Sequence, residues 1–455
     1  MKRAGTEDLL IPGVSILLWT LLLPFGSFPA AAAPIHVPAD YSTIQAAINA
    51  ATSGDEITVS TGTYTENINF LGKNIILRST DPVSTSVVAT TIIDGNQAGS
   101  VVTFSGTELS SCLLAGFTLT GGYHDMEAGG IQGNGTHATI QNNRIVGNGN
   151  GGGGLSSQFG GGLFRCDGAI RHNAILNNHA DAGHGGGLLM CNGIIEGNVI
   201  SSNTAMFGGA LCLCDGTIQN NVIAGNWAGD CGGLLDCHGT IQNNTIFGNQ
   251  TTRPESPCAG GLVISYGPIT GTIRNCIIWG NTAPVNTQIT NCPEPSYCCI
   301  ENWSGGGTGN IALNPQMTNP TSGDFHLLAG SPCIDAGGAV GLSQDFEGNP
   351  RPFDWPGMSG GDGSNYDMGA YELVAPFIIA SHAIGNSCLV GNDAPTQTLQ
   401  VWNAGNGTLA YIVETTLSWL VALPAVGYSD GPASRTTHRI VYSPEIISRY
   451  CSNCR

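Results

Sequence analysis

Apolar and polar positions recur along the middle of the chain in one short pattern, apolar-x-x-Asn-x-apolar-x-x-Asn. It occurs as Ile140-Asn143-Ile145-Asn148, Ile170-Asn173-Ile175-Asn178 and Ile195-Asn198-Ile200-Asn203. It returns as Ile218-Asn221-Ile223-Asn226 and Ile241-Asn244-Ile246-Asn249. A last copy, Ile273-Cys276-Ile278-Asn281, carries Cys in the first Asn slot, and a degenerate one, Leu114-Phe117-Leu119-Gly122, comes first. Successive copies start 26, 30, 25, 23, 23 and 32 residues apart, from Leu114, Ile140, Ile170, Ile195, Ile218, Ile241 and Ile273. A period in this range marks a solenoid, in which each unit buries its apolar face only against its neighbours.

A second landmark accompanies each central unit. Leu163, Leu188, Leu211 and Leu234 each follow glycines, and each is followed three residues later by Cys166, Cys191, Cys214 or Cys237. Next come Asp167-Gly168, Asn192-Gly193, Asp215-Gly216 and His238-Gly239, pairs of the kind that favour tight turns through positive φ. The apolar spacing with a break fits two short strands rather than a helix. The 67 glycines also oppose helices, because interior Gly costs a helix about 1 kcal/mol each. Parallel coils stacked about 4.8 Å apart would place Ile on Ile, Cys on Cys and Asn on Asn, and buried Asn amides would then satisfy one another.

These Ile-x-x-Asn and Gly-Gly-x-Leu steps resemble right-handed parallel β-helix proteins of the pectate-lyase-like superfamily. Gly208-Gly209-Ala210-Leu211 is also similar to the repeats of polymorphic outer-membrane adhesins. The resemblance covers most of residues 35 to 372. It implies an all-β, right-handed parallel β-helix of about a dozen coils.

The ends extend this division. Residues 1–33 have a signal-peptide layout: Lys2 and Arg3, an apolar run from Val14 to Leu23, then Ala30 to Ala33. Export to the cell surface or the extracellular space is therefore expected. The apolar run is too short for a membrane anchor, so no integral membrane protein is expected. Residues 34–328 form the solenoid, opened by a cap helix with Ile44, Ala47, Ile48 and Ala51 on one face and Asp40 or Ser42 as its cap. Residues 329–375 contain Ser331-Pro-Cys-Ile-Asp335, Asp345-Phe-Glu-Gly-Asn-Pro-Arg351 and Asp367-Met-Gly-Ala-Tyr371-Glu, and they resemble the choice-of-anchor module that follows bacterial β-helices. That resemblance implies a C-terminal cap. Residues 376–455 alternate with period two at Leu399, Val401, Leu409, Tyr411 and Val413, which predicts a small β-sandwich. They resemble immunoglobulin-like modules of the BACON type, except that Arg435 to Arg439 and a Cys-ended tail replace the closing strands.

Composition narrows the partners. The net charge is −18 and Lys is scarce after Lys73, so phosphate backbones are poor partners and nucleic acid is not expected. Acidic polysaccharide would be repelled unless a cation bridged it. The 16 cysteines of an exported chain raise disulfides, with Cys292, Cys298 and Cys299 as the best candidates, whereas the four-Cys column fits small buried thiols.

Catalytic layouts are thin. The resemblance brings polysaccharide lyases and hydrolases into view, but no Asp-Asp pair occurs, and Arg165 and Arg171 lack neighbouring acids beyond Asp167. Asp167 and Asp215 would sit two coils apart, about 9.6 Å at the parallel-coil spacing, within the range of an inverting carboxylate pair. His184, in Gly183-His184-Gly185, matches a hydrolase element superficially. These three are the catalytic candidates. Ligand-binding candidates lie in the loops before each glycine step: His179, Asp181, Trp227, Asp230, Arg253 and Glu255. Trp227 is the natural sugar-stacking group. Asp335, Asp345, Asp354, Asp362 and Asp367 are candidates to gather around Ca²⁺, and no other cofactor is expected. The reading favoured is a monomeric, non-catalytic scaffold for polysaccharide or cell-surface glycan, with a lyase or glycoside hydrolase as the alternative.

Overall fold

The computed structural model describes residues 34–374, apart from 125–126, 151–159, 255–257, 286–287 and 356–357, together with 378–380, 397–403, 409–413, 420–429 and 435–442. The signal segment, residues 1–33, lies outside them. The described chain is nearly all-β. Its body is a parallel solenoid built on two ten-stranded ladders, one nine-stranded ladder and one six-stranded ladder. About ten coils are formed, slightly fewer than the dozen expected from the repeat. Among the described residues no helix is long and apolar enough to cross a membrane.

The repeat sets the register without a slip. Ile140, Ile170, Ile195, Ile218, Ile241 and Ile273 are consecutive partners in one ladder. Ile145, Ile175, Ile200, Ile223, Ile246 and Ile278 are partners in the next. Leu163, Leu188, Leu211, Leu234 and Leu262 form the third. All point into one continuous core, where burying each Ile or Leu contributes about 1.5–3 kcal/mol.

Two buried Asn columns hold the bends. Asn198 Oδ1 accepts from the main-chain N–H and the Nδ2 of Asn173, while its own Nδ2 donates to the Ile170 carbonyl and to Asn221 Oδ1. Every hydrogen-bonding valence of that amide is filled, which is what permits it inside an apolar core. The same pattern runs from Asn178 through Asn203, Asn226 and Asn249 to Asn281. Cys276 continues the first column after Asn244, and the next occupant is Cys298, whose Sγ accepts from the Cys276 main-chain N–H. Cys298 is thus an Asn-slot thiol. Cys292, Cys298 and Cys299, the best disulfide candidates by sequence, are all unbridged, as are Cys166, Cys191, Cys214 and Cys237.

The turn pairs work differently from their sequence reading. Positive φ falls two residues earlier, on Arg165, Met190, Leu213 and Asp236. Glycine is required at 168, 193, 216 and 239 because a Cβ there would collide with a carbonyl oxygen of the preceding coil, such as that of Gly193 beneath Gly216. The residue before each glycine forms a second polar ladder. Asp167 Oδ1 accepts from Asn192 N–H, Asn192 Oδ1 from Asp215 N–H, and Asp215 Oδ1 from His238 N–H.

The N-terminal end is closed by helix α1 (Ile44–Ala50), which buries Ile44, Ala47 and Ile48. Its cap is Thr43, whose Oγ1 accepts from Ala46 N–H, not Asp40 or Ser42. Glu66 accepts from the first two helical N–H groups, and Lys73 Nζ donates to the Ile48, Asn49 and Ala51 carbonyls at the other end. Opposite charges at the two ends match the helix dipole.

At the other end a cap segment, residues 315–374, folds along the side of the last coils around a separate apolar cluster that includes Phe325, Ile334, Met368 and Tyr371. The tail forms antiparallel ladders. Thr436–Tyr442 pairs with both Gln397–Asn403 and Leu420–Leu423, so the Arg435–Arg439 stretch that departed from the module pattern runs into a central strand.

Candidate functional site

Most of the described part of the stretches expected to be loops before each glycine step is strand of the six-stranded ladder, although residues 252–254, with Arg253, lie outside it. It includes His179–His184, Thr204–Phe207, Trp227–Asp230 and Gln250–Thr251. The reason is steric. The glycine step of one coil passes against this strand in the next, and a Cβ on Gly186 or Gly209 would meet the Thr204 or Trp227 carbonyl oxygen. With glycine there, the chain doubles back and covers the outside of the Leu163 ladder. A second small core forms, made of Phe164, Leu189, Cys212, Leu235 and Val263 with Cys231.

Alternation along this ladder decides what faces solvent. Ala180, Ala205 and Ala228 are buried, while their neighbours His179, Thr204 and Trp227 share one outward column in register with Gln250. Trp227 is 41% exposed. His179 lies two coils away, about 9.6 Å at the parallel-coil spacing, with its ring over Gly149, where a Cβ would collide with it. Asp181 is exposed on the same strand as His179. These groups make a flat, rigid row rather than a convergent centre.

Asp230 and Arg253 take another part. Asp230 is buried, and its Oδ2 accepts from Arg253 Nη1 at 2.7 Å. Burial holds the Asp230 carboxyl above the usual carboxylate range, against the pull of Arg253. The pair closes the edge of the second core. His184 stacks on Phe207 with ring centroids 4.7 Å apart, in the column that continues to Asp230. Glu255 lies outside the described residues. Asp167 and Asp215 each spend one carboxylate oxygen on the turn of the next coil.

The acidic residues of the cap mostly bind main-chain amides. Asp367 accepts from Asp335 N–H and Leu373 N–H, Asp335 from Trp355 N–H, and Asp345 from Glu347, Asn349 and Glu372 N–H. Burial pushes the Asp335 and Asp367 carboxyls up, helped at Asp367 by the neighbouring Glu372. The cation among them is Arg351, fully buried, which pairs with Glu372 at 2.6 Å and donates to Asn220 Oδ1 and the Gly369 carbonyl. Asp362 pairs with Arg274 at 3.6 Å.

Sequence reasoning missed the place where the cap ends. Two cavities open there. One, about 300 Å³, is largely apolar and lies between the Ile145 ladder's outer face and Phe325 and Tyr371. The other, about 320 Å³, is polar and lies over Arg171, His172, Glu196 and Gly197, walled by the cap loop at Gly341–Gln344. The available signal was the glycine at 197, which interrupts a run of turn residues that are otherwise Asn or His.

Fold and surface together define the class: a parallel β-solenoid capped at its N-terminus by a helix and flanked at its C-terminal end by a side-docked segment. No protein-family model matches the chain, and no curated protein matches it.

Proposed function

We propose that the protein is an exported or surface-displayed scaffold that binds glycan, free or on a cell surface, along the outward face of the six-stranded ladder, without catalysis. The observation that carries this reading is Trp227, an exposed indole held on a strand rather than a loop, in register with Thr204, His179 and Gln250. An aromatic face fixed by its backbone offers stacking area at little entropic cost, and polar neighbours at coil spacing supply hydrogen bonds along an extended chain. Of the other sequence candidates, Asp167, Asp215, Asp230, Arg253 and His184 are taken up by partners within the solenoid. Export rests on the signal-peptide layout of residues 1–33.

The test is a glycan array with the full chain and Trp227→Ala. Binding to at least one extended glycan, lost in the variant while the circular dichroism spectrum is unchanged, supports the proposal. Absence of any bound glycan refutes it. Incubation with neutral and acidic polysaccharides, with and without Ca²⁺, checks the non-catalytic part: new reducing ends or unsaturated products would overturn it.

A further inference from the structure

The turn between the Ile140 and Ile145 ladders carries one positive-φ residue per coil: Asn142, His172, Gly197, Asn220, Asn243 and Asn275. The cap segment docks on three of them. Asn275 exchanges two hydrogen bonds with Gly338, Asn243 Nδ2 donates to the Asp367 carbonyl, and Asn220 Nδ2 donates to the Gln344 carbonyl. The cap ends above Asn220. The next position is Gly197, with no side chain, and the one after is His172. A Cβ on Gly197 would lie 2.7 Å from His172 Nδ1, so the glycine leaves room for the ring and sinks the floor between two side-chain-bearing turns. The polar cavity is the result.

Its chemistry is specific. Glu196 Oε1 accepts from Gln219 Nε2 at 2.7 Å, and Gln219 Oε1 accepts from Gln242 Nε2 at 2.9 Å, so a side-chain ladder fixes the carboxylate. Glu196 Oε2 lies 3.3 Å from Arg171 Nε. That nitrogen is buried and off the line of a hydrogen bond. Among the described residues the terminal nitrogens of Arg171 and the ring of His172 bind no protein group. The cavity therefore presents a guanidinium fork with unspent terminal nitrogens, a carboxylate fixed through one oxygen, and a flat ring, side by side.

We infer that this cavity is a second binding site, distinct from the outer ladder, that takes one neutral pyranose unit. Two adjacent hydroxyls match an adjacent acceptor and donor: one donates to Glu196 Oε2, the other accepts from an Arg171 terminal nitrogen. The His172 ring faces the sugar's C–H side. Charge selects against other small ligands. Arg171 is already balanced by Glu196, and the chain carries −18, so an anion gains nothing. A divalent cation would find one carboxylate, because Asp345, the other in the lining, is committed to main-chain amides. The volume, about 320 Å³, stands at the lower end of ligand pockets and suits a single ring.

The experiment is saturation-transfer NMR and calorimetry on the full chain with the methyl pyranosides of glucose, galactose and mannose, with galacturonate and CaCl₂ as separate arms. At least one neutral pyranoside should bind saturably. Glu196→Gln and Arg171→Gln should each raise its dissociation constant about tenfold or more, as expected for losing a hydrogen bond to a charged group. Gly197→Asn, which restores the column's usual turn residue and fills the floor, should abolish binding. In Trp227→Ala the component of binding that depends on Glu196 and Arg171 should persist. The inference is overturned if no neutral pyranoside binds, if galacturonate or Ca²⁺ binds and the neutral sugars do not, or if Glu196→Gln is without effect. If Trp227→Ala abolishes pyranoside binding and Glu196→Gln does not, the outer ladder is the sugar site and this cavity is not.

Discussion

Asn198→Ala should be among the most damaging single substitutions in the solenoid. The side chain is fully buried and makes four hydrogen bonds of 2.8–3.0 Å. Truncation leaves the Asn173 main-chain N–H, one Asn173 amide hydrogen and the Ile170 carbonyl without these partners. Asn221 Oδ1 keeps the Asn198 main-chain N–H at 2.9 Å. Three stranded groups at about 1–3 kcal/mol each give roughly 3–9 kcal/mol, with the lower end expected because water can enter the space. That is a large share of the roughly 5–15 kcal/mol typical of whole domains. Asn192→Ala is the control. It also deletes an inter-coil acceptor, to Asp215 N–H at 3.0 Å, but at an exposed position where water substitutes. Its cost should stay below about 1 kcal/mol. Urea unfolding followed by far-ultraviolet circular dichroism compares the two midpoints. Native-state hydrogen exchange at Asn173 and Asn198 localises the loss, which matters because solenoids unfold by neighbouring units. Equal, small shifts for both variants would refute the claim that the buried Asn column holds the bends.

Gly216→Ala should destabilise more than Gly248→Ala in the same assay. The first methyl meets the Gly193 carbonyl, while the second has nothing within 4 Å and bears only the penalty of φ +64°. His326 hydrogen-bonds Glu347 and Asp324, which raise its pKa from 6.5 to about 9 against the effect of burial. A raised histidine stabilises the fold when protonated. That contribution is full below about pH 6.5 and disappears as pH rises through about 9, so thermal midpoints should fall across that window in the native chain and less in His326→Gln. Burial pushes the Cys112 and Cys292 thiols up to about 12. Both should resist iodoacetamide at pH 8 in the folded protein and react in denaturant, as mass spectrometry of tryptic peptides would show.

The solenoid was legible because its physics is one-dimensional. Each coil meets only its neighbours, so a repeat in sequence becomes a register in space. Ile over Ile, Asn over Asn and Cys over Cys follow from the spacing alone. The thiol at 298 shows the limit. Its sequence surroundings look like a loop, and only the last coil's path places it in the slot that Asn and Cys276 occupy before it.

The sequence by itself determined the parallel ladders, the two Asn columns, the N-terminal cap helix and the antiparallel tail, since periodicity and local propensity are read without knowing distant contacts. Tertiary structure decided what the glycines are for and which polar groups are free. The glycine steps make room for the chain to double back, turning expected loops into a fourth ladder and sorting Trp227 outward and Asp230 inward. The cap, 63 to 124 positions further along the chain than the turns it grips, takes up Asn220, Asn243 and Asn275 and leaves Gly197 and His172 open. No local pattern encodes where a segment that far away will end, and that ending is what makes the polar cavity.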